Sequence, residues 1–93
     1  MGIHHYAIFD DDDVTHAPRN LFLVIREPGV LVLAIYDRAA KRWVEHPALL
    51  EYLEGEKADR CLPIDAATAA KLAARFGTRL PDADALTALP PAD

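Results

Sequence analysis

The chain has 93 residues, a formal net charge of −5 and a mean hydropathy of +0.00, with 52% hydrophobic and 27% charged residues. A chain of that length makes one domain around a single small core, and the composition is that of a soluble globule, not of a disordered or fibrous chain. The acidic balance opposes phosphate backbones and anionic membranes, and the longest apolar run, 30–36, falls far short of the roughly 20 residues that a spanning helix needs.

Segment 3–9 reads as a first strand, with Tyr6 and Ile8 on one face and Ala7 and Phe9 on the other. The aspartate run 10–13 ends it, because Asp is poor in strands and like charges seek solvent. Segment 14–20 contains Pro18 and forms a loop into a second strand over 21–26. Pro28-Gly29 is a turn signal of type II, which matches strand twist less well than Asn-Gly does and so predicts a hairpin loop longer than two residues. A third strand over 30–36, a charged turn over 37–42 and a short fourth strand over 43–45 follow. Pro47 suits the first position of a helix over 47–54 and Gly55 its end, with Leu49, Leu50 and Leu53 on one face. Beyond a charged connector, 60–64 can add a brief edge strand. A second helix over 66–76 has Asp65 as N-cap, Ile64 as staple and Gly77 as stop, and its apolar stripe is Ala69, Leu72, Ala73 and Phe76. The tail 78–93 holds one helical turn within 82–89 before Pro90-Pro91. This order predicts an α+β fold: an antiparallel meander sheet of four strands, or five with 60–64, followed by two helices packed on one face, in a single domain.

The runs 21–25 (LFLVI) and 30–36 (VLVLAIY) lack the polar alternation of a half-wet strand, so both faces of the sheet must be shielded. If Leu21, Leu23 and Ile25 meet the helices, Phe22 and Val24 face away. They are joined there by Val30, Val32, Ala34 and Tyr36 or by Leu31, Leu33 and Ile35. The expectation is a homodimer through the sheet, its interface built from Phe22, Val24, Leu31, Leu33, Ile35, Tyr36 and Trp43. Cover by the tail, through Leu80, Leu86 and Leu89, is the alternative.

Reactive chemistry leaves little trace. Cys61 is the sole cysteine, so no intrachain disulfide and no oxidising compartment are implied. The opening MGIHHYAIFDDDD has no basic region and no apolar stretch of signal-peptide length, which places the protein in the cytoplasm. Seventeen alanines and an Arg:Lys ratio of 7:3 point to a GC-rich bacterial gene. His4, His5, His16, His46 and the aspartates at 10–13 are ligand types, but adjacent strand histidines point to opposite faces and no HxxxH or calcium-loop spacing occurs. No metal and no cofactor are expected. Cys61 beside Arg60 has the makings of a nucleophile, with His46 as a distant base, or is simply a small buried hydrophobe. The chain contains no serine, and its glycines are too dispersed to cradle phosphate.

Residues 70–77 (AKLAARFG) resemble the first helix and turn of a helix-turn-helix, with Ala73 and Gly77 at the small-residue and turn positions. The resemblance covers about 20 residues and implies a recognition helix over 82–89. That segment (DADALTAL) is acidic and has no side chain suited to base edges, so nucleic acid is not the expected partner. Lys71, Arg75 and Arg79 follow at helical spacing as a weak anion-binding set, or simply as cations complementing a helix C-terminus. The reading that emerges is a small acidic non-catalytic interaction module, such as a subunit, an adaptor or an inhibitor of a basic partner. A small-ligand or metal-dependent enzyme near His46, Asp37 and Cys61 is the alternative, and a DNA-associated regulator the next.

Overall fold

The two apolar runs pair with each other at the centre of the molecule. The computed structural model describes residues 2–9, 18–56 and 58–92. The aspartate run 10–13, His16 and most of the loop 14–20 lie outside the described residues. Five strands, β1 (Ile3–Ile8), β2 (Asn20–Glu27), β3 (Val30–Asp37), β4 (Arg42–Glu45) and β5 (Cys61–Ile64), form one sheet in the order β4-β3-β2-β1-β5. All four pairings are antiparallel, and the helices α1 (Leu50–Glu54), α2 (Ala66–Arg75) and α3 (Ala83–Leu86) follow the meander. The fold is α+β.

β2 and β3 are joined by two residues only. Glu27 pairs with Val30 across Pro28-Gly29, and Gly29 takes φ +78°, the positive angle that a type II turn requires at its third position. The longer loop expected from sequence does not form. Six registered pairs from Phe22↔Ile35 to Glu27↔Val30, the four from Phe22↔Ile35 to Ile25↔Val32 packed on both faces, fix the register and outweigh the poorer match of this turn to the strand twist.

Strand alternation sorts the side chains into two layers. Leu21, Leu23, Ile25, Val32, Ala34 and Trp43 lie on the face covered by Ala69 and Leu72 of α2 and by Leu86 of α3, and Leu80 and Leu89 pack beside them. On the opposite face Ile8, Phe22, Val24 and Leu33 lie beneath Leu49, with Leu50, Tyr52 and Leu53 around it. Here the structure departs from the expected single helical face. β4 and β5 occupy opposite edges, so segment 46–60 must cross the whole sheet, and it does so over the second face. Its 3₁₀ turn, Pro47–Leu49, runs directly into α1.

That crossing on one face and the packing of α2 and α3 on the other remove the ground for a dimer through the sheet face. Phe22, Val24, Leu33, Tyr36 and Trp43 are 0%, 2%, 4%, 5% and 9% exposed within the single chain. Ile35 is half-buried, and of the expected interface set Leu31 alone is open, at 48%. The shielding that the two runs demand comes from the chain's own helices.

The α2 signals act as their residue types dictate. Asp65 caps the helix by accepting from the Thr68 N–H at 2.7 Å. At the other end Thr78 N–H donates to Ala73 O at 2.9 Å and Gly77 N–H to Ala74 O at 3.1 Å, a Schellman motif with Gly77 at φ +82°.

The sheet edges end differently. At β4, Glu45 N–H donates to Pro90 O and Ala92 N–H to Glu45 O, both at 2.8 Å, forming one parallel bridge between Glu45 and Pro91. At β5 the Phe9 N–H bond to Arg60 O sets the ladder, so alternation turns Cys61 and Pro63 outward. Pro63 has no N–H to offer a further strand.

Candidate functional site

The groups proposed for catalysis do not converge. Cys61 lies on β5 and His46 follows β4, at the two edges of a five-stranded sheet, about 19 Å apart at the usual strand spacing. The Cys61 thiol donates to Tyr52 O at 2.8 Å, and burial pushes its pKa up. A protonated, hydrogen-bonded thiol of this kind is a poor nucleophile. Among the described residues no three His, Cys, Asp or Glu side chains gather closely enough to hold a metal ion. His4 is exposed, whereas His5, on the other face, is held below its ordinary pKa chiefly by burial.

His46 and Asp37 line one cleft of about 300 Å³ at the β3–β4 edge, but His46 stands opposite Leu33 and Asp37 four strand positions away, about 13 Å along β3. Ile35 and Val44 line it, with Asn20, Arg38 and Ala92. Its polar groups are largely engaged in holding the fold. Asp37 Oδ1 accepts from the N–H groups of Ala39 and Ala40 at 3.1 and 3.0 Å. Asn20 Nδ2 donates to Tyr36 O at 2.9 Å, and its Oδ1 accepts from Leu21 N–H at 2.8 Å. Arg38 donates to Arg19 O at 3.1 Å, and its guanidinium carbon stands 4.6 Å from the centre of the Phe76 ring.

The basic set is split. Lys71 and Arg75 sit one turn apart on the exposed side of α2, but Gly77 stops the helix, and the Arg79 carbonyl accepts from Trp43 Nε1 at 3.1 Å. The resemblance to a helix-turn-helix ends at the same point. α3 spans only Ala83–Leu86 and turns Leu86 into the core at 1% exposure, so this segment presents no recognition helix.

The surface of α1 is more open. A shallow groove of about 230 Å³ is lined by Leu50, Glu51, Glu54 and Gly55. Glu54, one of its lining residues, pairs with Arg26, and Leu31, opposite Arg26 in the β2–β3 ladder, stands 48% exposed on the same sheet face. Sequence reasoning placed Leu31 in an interface but missed the groove. Its signal was the pair Glu51 and Glu54, one turn apart with Leu50 beside them on a helix too short to turn every apolar group inward.

No helix among the described residues is long and apolar enough to cross a membrane. Comparison with protein-family models, curated proteins and solved structures found no match to this chain.

Proposed function

We propose that the protein is a small acidic, non-catalytic interaction module of the bacterial cytoplasm, a subunit, adaptor or inhibitor that binds a basic partner. The observation that carries this reading is Leu31, a large aliphatic side chain left 48% exposed on the sheet face that carries α1, opposite Arg26, which pairs with Glu54 of the α1 groove. Glu51, Glu54 and Leu50 line that groove, and Glu54 is paired with Arg26. Such a surface suits a basic segment that brings one aliphatic anchor, whose burial against Leu31 and Leu50 supplies about 1.5–3 kcal/mol while the groove carboxylates steer approach and orientation. So limited an apolar area suits a complex at the small, transient end of interface sizes.

Quantitative capture from a bacterial lysate tests this with the wild type beside Leu31→Asp and Glu51→Lys, both at exposed positions. A basic protein retained by the wild type and lost from both variants supports the proposal. Equal retention by all three, or no specific capture, overturns it. A second reading, small-ligand binding, is favoured by the cleft that His46 and Asp37 line together with Ile35 and Val44. A metabolite that raises Tm for the wild type but not for His46→Ala would support that reading instead.

A further inference from the structure

The single bridge between Glu45 and Pro91 is short for a chemical reason. His46 N–H donates to Leu33 O at 2.8 Å, which fixes the β3–β4 alternation and turns the N–H and C=O groups of Trp43 and Glu45 away from β3. Pro90 and Ala92 satisfy both groups of Glu45. Continuing the parallel ladder to Trp43 would need a donor at position 90, which is proline. The segment therefore closes half of an edge that offers two outward donors and two outward acceptors.

We propose that segment 90–92 guards a self-pairing edge, and that the surface beneath it takes β4 of a second copy of this chain. A twofold axis at Val44 sets Trp43 of one copy against Glu45 of the other in antiparallel register. All four outward backbone groups of each β4 are then matched, where the guarding segment matches two. A second copy is the fitting occupant because β4 matches itself in full about that axis, whereas the same arrangement of β5 about Leu62 leaves the Cys61 carbonyl without a donor at Pro63. The twofold also closes the assembly at two chains. This surface is distinct from the α1 groove, and the inference does not depend on the proposed function.

The test compares the intact chain with one lacking residues 90–93, by light scattering at micromolar to millimolar concentration. The intact chain should scatter as its 10.2 kDa monomer. The shortened chain should approach twice its own mass, with exchange of the Trp43 amide slowed at least tenfold. Adding Glu45→Pro to the shortened chain removes an outward donor at a position where an edge tolerates proline, and should restore the monomer. If shortening unfolds the chain, read from near-ultraviolet dichroism of the Tyr36–Trp43 pair, full-length Ala92→Pro carries the test. It deletes the N–H that binds Glu45 O and should give a concentration-dependent dimer. Persistent monomers in every folded variant, or a dimer indifferent to Glu45→Pro, overturn the proposal.

Discussion

At the scale of single residues, Cys61 and the pair His5 and Asp65 make opposite uses of burial and hydrogen bonding. The Cys61 thiol sits above its ordinary pKa of 9.0 because burial disfavours the thiolate. Alkylation of the folded protein at neutral pH should therefore run at least tenfold slower than that of free cysteine, recovering in urea; rapid labelling of the native chain would contradict this. His5 is held below its ordinary 6.5 by burial first and by His4 second, with Asp65 pulling the other way. Hydrogen bonds from Thr68 hold Asp65 below its ordinary 3.8. A histidine lowered in the folded state binds protons more readily when unfolded, so its contribution is full above 6.5 and falls as the pH drops below that value. The contribution of Asp65 is full above 3.8 and is lost as pH falls through the folded value. Acidification should thus lower Tm in two windows. His5→Gln should flatten the upper one, and Asp65→Asn, which still caps, should flatten the lower while deepening the upper, because it removes the carboxylate that pulls the His5 value up. A His5→Gln curve that parallels the wild type between about pH 5 and 7 would show that His5 carries none of the dependence.

At the scale of elements, backbone angles decide two substitutions of opposite sign. Gly77 has φ +82° and open space where a Cβ would stand, so Gly77→Ala should cost about 1 kcal/mol through backbone strain alone. Lys41 in the β3–β4 turn holds φ +58° with a side chain present, and Lys41→Gly should gain about 0.5 kcal/mol. Urea midpoints with unchanged slopes would check both. The caps of α2 and the apolar runs were legible because Asp65, Gly77 and unbroken valine and leucine act locally. The face taken by α1 was not. Leu49, Leu50 and Leu53 make the same stripe whichever side of the sheet they cover, and the choice depends on β4 and β5 ending at opposite edges. The tight Pro28-Gly29 hairpin was misread for a related reason, since pairing along β2 and β3 overrides the preference of the turn. Asp37, His46 and Cys61 were grouped as one site from sequence, but Asp37 and His46 line opposite ends of the β3–β4 cleft and Cys61 lies at the far edge, because register and strand order are not written in any one of those residues.

At the scale of the whole molecule, the second layer hangs on few side chains. Leu49 is 1% exposed and is the buried anchor through which segment 47–54 covers Phe22, Val24 and Leu33. Leu49→Ala should cost about 2–5 kcal/mol, a large share of the about 5–15 kcal/mol that holds a domain folded. It should also open apolar surface that binds a hydrophobic dye. A cost below about 1 kcal/mol would mean that the aromatic stack of Tyr6 on Phe22, with ring centres 5.0 Å apart, holds that layer without it.

The strand order also sets a sequence of events in time. β2–β3 and β3–β4 close over turns of a few residues, whereas Ile8 meets Cys61 only after about 50 intervening residues have been gathered in. The entropy of that long closure falls on the last strand to arrive, so the hairpins form early and β5 docks late. In the native protein β5 should correspondingly be the strand that opens most often. Its amides should exchange with solvent well before those of β2 and β3, although all belong to one continuous sheet.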